Sequence, residues 1–244
     1  LYGYNLLVFA AENLSGNIID EIFKYDFNFN GYQIVEAFVK SYTNITKTAS
    51  NQFFNKNTAI EIMNKIFDYD MNHAHLINFS KLLKNGKSFF TSIESNYYGT
   101  GDVSDFLLNH GVDPNMPDEE GVFPLQHAIK INSSIFLSLI NSNRIVYSQL
   151  PKGNSYLHFS ISCLNYQATK TFIERKLIDI NTVNDNGETP LMEACKQLDI
   201  NGINLLFQQD NLDYLHLDKK GNDALKIIEL LPPDEVEKAK QSKA

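Results

Sequence analysis

Five glycines, Gly86, Gly121, Gly153, Gly187 and Gly221, recur at intervals of 35, 32, 34 and 34 residues, and similar side chains follow each of them. Two places on stand Ser88, Phe123, Ser155, Thr189 and Asp223, and all but the phenylalanine are side chains that cap helix N-termini. Four places on, the residue is always apolar: Phe90, Leu125, Leu157, Leu191 and Leu225. A capping side chain that opens an apolar run predicts a helix beginning just after each glycine. The glycine itself suits a turn with positive φ. Farther along, Phe106-Leu107, Leu139-Ile140, Phe172-Ile173 and Leu205-Leu206 fall 18 to 21 residues past their glycines and mark a second amphipathic stretch. Polar, turn-rich runs follow at Gly111 to Asn115, Asp179 to Thr182 and Asp213 to His216. A helix pair this short cannot bury its apolar side alone, so the units must stack on one another.

The period near 33, with Gly187-Glu188-Thr189-Pro190-Leu191-Met192-Glu193-Ala194, resembles the ankyrin repeat, whose helix entrance reads Thr-Pro-Leu-His-x-Ala. Gly111-Val112-Asp113-Pro114-Asn115 resembles that family's Gly-Ala-Asp-x-Asn turn. Other copies are degraded: Phe123-Pro124-Leu125-Gln126 keeps Pro and Leu, Ser155-Tyr156-Leu157-His158 keeps Leu and His, and Ser88-Phe89-Phe90-Thr91 keeps little. The last copy, Asp223-Ala224-Leu225-Lys226, resembles a capping repeat. The resemblance implies an all-α fold, an ankyrin-repeat solenoid of stacked antiparallel helix pairs joined by β-hairpin loops.

The N-terminal third follows the same pattern from Gly3 to Ala11 and again at Gly16 to Ile19 and Ile22-Phe23. Gly31 to Gly86 is 55 residues, too long for one unit and too short for two, so an insertion is expected within Ser41 to Thr58, ahead of a helix over Ala59 to Phe67. The expected organisation is a solenoid over 1–231, with units near 1–28, 29–83 with the insertion, 84–118, 119–150, 151–184, 185–218 and a capping unit at 219–231. A solvated, charged tail occupies 232–244.

Composition narrows the partners. Asp+Glu 29 against Lys+Arg 21 gives a net charge of -8, and Arg144 and Arg175 are the only arginines, which disfavours nucleic acid. No stretch approaches the roughly 18 apolar residues of a membrane span. Cys163 and Cys195 cannot form a secreted disulfide framework, so a cytoplasmic location is expected, with both thiols packed in first helices. The chain holds 28 Asn, 23 Ile and 19 Lys, a bias associated with AT-rich genomes.

Motifs that would carry chemistry fail on their spacing. Asn85-Gly86-Lys87-Ser88 resembles the end of a phosphate-binding loop, but Lys81 stands where its first glycine belongs. Gly99-Thr100-Gly101 has Ser104 in place of the third glycine of a dinucleotide loop. Asp113, Asn115 and Asp118 resemble calcium ligands, but Asp118 takes the place of the required glycine and Pro124 that of the glutamate. His73 and His75, near Asp68 and Asp70, are read as surface residues rather than metal ligands. There is no HExxH, GxSxG or CxxC. We therefore expect no catalytic residue, no metal and no cofactor. His158 matches the histidine of the family's helix entrance, whose role there is a structural hydrogen bond; His127 lies one position out of that register.

The resemblance implies a protein-interaction module that binds a partner on its concave face, made of hairpin tips and first helices. The tips map to Met116 to Glu120, Tyr147 to Lys152, Thr182 to Asn186 and Leu215 to Lys220. The residues expected to touch a partner are Met116, Glu119, Val122, Tyr147, Leu150, Asn154, Asn184, Asn186, Glu188, Leu215, His216 and Lys219. Met116, Tyr147, Leu150, Leu215 and His216 are the anchor candidates, because interface energy concentrates in apolar and aromatic side chains. The chain is expected to act as a monomer on a protein partner, with neither nucleic acid nor membrane. Two alternatives share that mechanism: an accessory ankyrin region of a larger enzyme that recruits or masks substrate, and a microbial effector acting on a host protein in the host cytoplasm.

Overall fold

The computed structural model describes residues 6–13, 15–25, 31–47, 56–73, 77–79, 82–83, 85–93, 100–131 and 134–232. The chain divides into two compact units, Leu1–Ile145 and Val146–Ala244. Among the described residues every regular element is helical.

In the first unit, α1 (Leu6–Glu12) pairs with α2 (Gly16–Lys24), α3 (Gly31–Lys47) with α4 (Lys56–His73), and α6 (Pro124–Lys130) with α7 (Ile135–Asn141), while α5 (Thr100–Asn109) precedes the third pair. First helices stack on first helices and second on second: α1 lies on α3, and α2 on α4. Leu7, Ala10 and Ala11 of α1 and Ile34 and Ala37 of α3 are buried. Beyond it Phe38 meets Phe79, Phe89 and Phe106 at ring-centroid distances of 6.0, 6.2 and 5.9 Å.

The second unit repeats the plan with α8 (Tyr156–Ser162) and α9 (Tyr166–Glu174), α10 (Pro190–Lys196) and α11 (Ile200–Phe207), and a single α12 (Ala224–Glu229). Here α8 packs on α10, α10 on α12, and α9 on α11. Leu157, Ile161, Ala168, Phe172, Leu191, Ala194 and Leu206 are its buried core. Helices of seven to nine residues are unstable alone, so stacking rather than intrinsic propensity holds them.

Caps start these helices where the sequence places them. The Thr189 hydroxyl accepts from Met192 N–H at 3.3 Å, and the Asp223 carboxylate accepts from Lys226 N–H at 2.7 Å. At Phe123 the device is reversed, since the Gln126 side chain accepts from Phe123 N–H at 3.0 Å. After Gly86 the pair Ser88 and Thr91 bond each other reciprocally, yet residues 89–92 form turns and no helix.

The polar stretch Ser41 to Thr58, expected as an insertion, is helical at both ends. α3 continues through Lys47, α4 begins at Lys56, and residues 48–55 lie outside the described residues. No glycine or proline stands between residues 32 and 58 to stop either helix, and polar side chains alone do not. Ser41 is buried, its hydroxyl donating to the Phe38 carbonyl at 2.6 Å. The tail expected at 232–244 lies, from 233 on, outside the described residues, as do Gly3 and His75.

Candidate partner-binding surface

The five glycines close five copies of one turn. In each, the residue three places before the glycine donates its N–H to the carbonyl of the residue after it: Leu83 to Lys87, Asp118 to Val122, Leu150 to Asn154, Asn184 to Glu188 and Asp218 to Asn222, at 2.8 to 3.1 Å. The glycine N–H returns to that first residue's carbonyl, and its φ lies between 70° and 79° in all five copies. Where the first residue is Asp or Asn, its side chain seals the turn. Asp118 Oδ1 accepts from Glu120 and Val122 N–H, Asn184 Oδ1 from Asn186 and Glu188 N–H, and Asp218 Oδ1 from Lys220 and Asn222 N–H. The carboxylate of Asp118, weighed above as a calcium ligand, serves this turn.

Neighbouring turns touch through the backbone. Glu119 N–H donates to the Gly86 carbonyl at 2.8 Å, Asp185 N–H to that of Lys152 at 3.0 Å, and Lys219 N–H to that of Asn186 at 2.9 Å. Six places before the glycine, Asn115 and Asn181 staple the following repeat by donating to the carbonyls of Arg144 and Asn211 at 2.9 and 2.7 Å. Tyr147 and Leu215 occupy that same position in their own repeats.

Over 147–150, 182–184 and 215–218, the stretches leading into the turns of the second unit, exposure alternates with period two. Tyr147, Gln149, Val183, Leu215 and Leu217 are exposed; Ser148, Thr182, His216 and Asp218 are half-buried; Leu150 and Asn184 are buried. The anchor candidates therefore fall on different sides. Leu215 is 67% exposed, whereas Leu150 is 5% exposed and belongs to the core. Tyr147, 36% exposed, sets its ring edge-on to Tyr156 and Phe172 at 6.2 and 6.3 Å, and this burial pushes its phenol up. Met116 is half-buried. His216 Nε2 lies 3.0 Å from the Gly187 carbonyl, and its Nδ1 lies 3.7 Å from Asp213. Val183 and Leu217 are exposed apolar residues outside the predicted set, and the two-residue alternation is the signal that would have found them.

The polar candidates split in the same way. Glu119, Asn186 and Lys219 are exposed, and Val122 and Asn154 are half-buried. Glu188 is 8% exposed and ties the repeats together: Lys196 Nζ reaches its Oε1 at 2.5 Å, and Asn184 donates to its Oε2 at 3.0 Å while also donating to Asn154. Burial pushes the Glu188 carboxyl up, but the Lys196 and Asn184 bonds outweigh it and hold it below its ordinary 4.5. In this structure Asn184 and Glu188 are cross-braces, where surface residues were expected.

His158 is a brace of the same kind. Ser155 N–H donates to Nδ1 at 3.3 Å, so the ring proton sits on Nε2, 2.9 Å from the Glu188 carbonyl. Burial pulls the imidazole below its ordinary 6.5, against the pull of the Glu188 carbonyl, so the ring is neutral. Cys195 is buried, which pushes its thiol up to about 11, and Cys163 is half-buried at the end of α8. His73 closes α4, its Nδ1 against the Tyr69 carbonyl at 2.8 Å. Among the described residues no group of three or more His, Cys, Asp or Glu is arranged around a common point, and no helix is long and apolar enough to cross a membrane.

No protein-family model matches this chain, and no curated protein does. Among solved structures, the crystal structure of the human ASB11 ankyrin repeat domain matches with a TM-score of 0.62 at 15% sequence identity, covering 98% of each chain. The fold is the ankyrin-repeat fold. The braces now have a place in it: His158 ties a helix entrance to the next repeat, and Asn115 and Asn181 each tie one repeat to the next.

Proposed function

We propose that this chain is a protein-interaction module that acts as a monomer and docks a partner protein on the turn tips and first-helix face of its ankyrin repeats. Tyr147, Asn186, Leu215 and Lys219, all in the second unit, make the contact. The observation that carries this reading is Leu215, a leucine 67% exposed at a position where two other repeats place a stapling asparagine. The turn beside it is closed by backbone bonds and the Asp218 carboxylate, so the fold has no use for an apolar side chain there. Solvent-exposed apolar anchors at such tips are what a binding surface spends on a partner. The proposed role is binding without catalysis. The side chain best suited to acid–base work, His158, has both ring nitrogens committed, Nδ1 to Ser155 at the start of its own helix and Nε2 to the Glu188 carbonyl of the next repeat.

Affinity capture from cell lysate with mass spectrometry tests it, comparing wild type with a variant in which Asn186 and Leu215 are both alanine. A protein retained by the first and lost by the second, with equal melting temperatures, is the expected outcome. Equal retention by both would remove the proposed face.

A further inference from the structure

The turns of the second unit carry two chemistries side by side. Asp185 N–H donates to the Lys152 carbonyl and Lys219 N–H to the Asn186 carbonyl, so three turns lie edge to edge and share one rim. Lys152, Lys219 and Lys220 are exposed on it. Two carboxylates stand against them, Asp185 and the half-buried Asp218. The Asp218 carboxylate is engaged by the N–H groups of Lys220 and Asn222 and by the Asn222 side chain. On the arms just before the turns, Val183, Leu215 and Leu217 are exposed. A cationic edge backed by an apolar strip therefore runs along a chain whose net charge is -8, and none of these six side chains closes a turn or caps a helix.

We infer that this rim takes an extended segment of the partner protein in which carboxylates flank apolar side chains. The apolar residues cover Val183, Leu215 and Leu217, and the carboxylates meet Lys152 at one end and the Lys219–Lys220 pair at the other. This rests on the protein-binding reading above and narrows it to the chemistry of the partner. Apolar burial supplies the hold, while opposite charge sets orientation and speeds encounter. A basic segment would bring like charges together, and an uncharged one would desolvate the lysines without return.

A random-peptide phage library selected on the whole chain, and on a Lys152→Glu, Lys219→Glu, Lys220→Glu variant, tests the inference. The three side chains are exposed and only their backbones serve the turns, so the variant is expected to melt with wild type. Enrichment on wild type of peptides pairing Asp or Glu with Leu, Ile or Phe is expected, with about tenfold or greater weakening on the variant and in Leu215→Ser. Affinity should also fall as salt is raised, since charges are screened beyond about 10 Å at 0.1 M. Enrichment of basic or uncharged peptides, or equal binding to wild type and variant, overturns the inference. So does the absence of any enrichment on wild type. In each of those cases a lysate protein captured by wild type and lost from the Asn186, Leu215 alanine variant would leave the protein-binding reading standing.

Discussion

The imidazole of His158 donates from Nε2 to the Glu188 carbonyl, 30 residues along the chain, at 2.9 Å, while its Nδ1 receives Ser155 N–H. One side chain thus closes the start of α8 and binds the next turn, and it does both only when neutral. Because its folded pKa lies below the ordinary 6.5, the unfolded chain takes up this proton first as pH falls. The His158 contribution is therefore complete above 6.5 and is lost as pH drops from there through the folded value. Thermal melts against pH should decline below 6.5 in wild type, and His158→Gln, lacking the titrating ring, should lose that part of the slope. Parallel profiles for the two proteins would contradict the brace.

The Glu188–Lys196 pair acts in a lower window. The Glu188 carboxyl is held below 4.5, so its stabilisation is present above that value and is lost as pH falls through the folded one. Lys196→Met removes the counter-charge from a nearly buried carboxylate while Asn184 still bonds it. With Lys196 a third exposed, the pair is partly screened, and a cost of about 1–2 kcal/mol is expected in urea denaturation at neutral pH.

Capping gives a third number. Thr189 is buried, and its hydroxyl is the acceptor for Met192 N–H at 3.3 Å. Thr189→Ala should cost about 1 kcal/mol, and Thr189→Ser should recover most of it. Urea denaturation of the two variants beside wild type checks both, and an alanine variant as stable as wild type would break the helix register derived from the glycine spacing.

Repeat, caps and core positions were legible because each depends on neighbours within one turn of helix or chain reversal. Thr189 and Asp223 announce themselves locally, and so do the glycines. What was not legible depends on which way a side chain faces and on what closes over it once the chain folds. Leu150 reads as an exposed tip residue until the alternation along its arm places it inward, and Glu188 reads as a surface carboxylate until Lys196 and Asn184 close on it. The long α3 escaped for a different reason: Tyr42 to Lys47 is polar enough to pass for a loop, and helix continuation leaves no mark when nothing interrupts it.

Two turn glycines separate backbone strain from turn-to-turn approach. Gly187 and Gly221 have φ of 76° and 79°, a region costing an L-residue roughly 1–2 kcal/mol. A Cβ on Gly221 would meet nothing within 4 Å, whereas one on Gly187 would sit 3.1 Å from the Lys219 backbone nitrogen, the atom that donates to Asn186. Gly187→Ala should therefore be the more destabilising by roughly 0.5–1 kcal/mol, in keeping with overpacking costs at a site that can partly yield. Equal losses in chemical denaturation would mean that the turns do not press on one another.

The joints between paired helices offer the opposite experiment, a substitution that should stabilise. Leu164 links α8 to α9 at φ 53° and is 60% exposed, so its side chain gains little from burial while its backbone occupies the left-handed region. Leu198 holds the same conformation, φ 51°, at the corresponding joint between α10 and α11. Leucine pays roughly 1–2 kcal/mol for that backbone, and glycine does not. Glycine in turn loses more freedom on folding, by roughly 0.5–1 kcal/mol. The difference favours Leu164→Gly by about 0.5–1 kcal/mol, before any loss from the part of the leucine that is covered. Leu164→Ala is the control, since it trims the side chain and keeps the strain, and it should leave stability unchanged or slightly lower. A melting temperature raised by glycine but not by alanine assigns the effect to the backbone. A drop with both would show that the exposed leucine holds the joint by packing, and that the left-handed turn carries less strain than its φ implies.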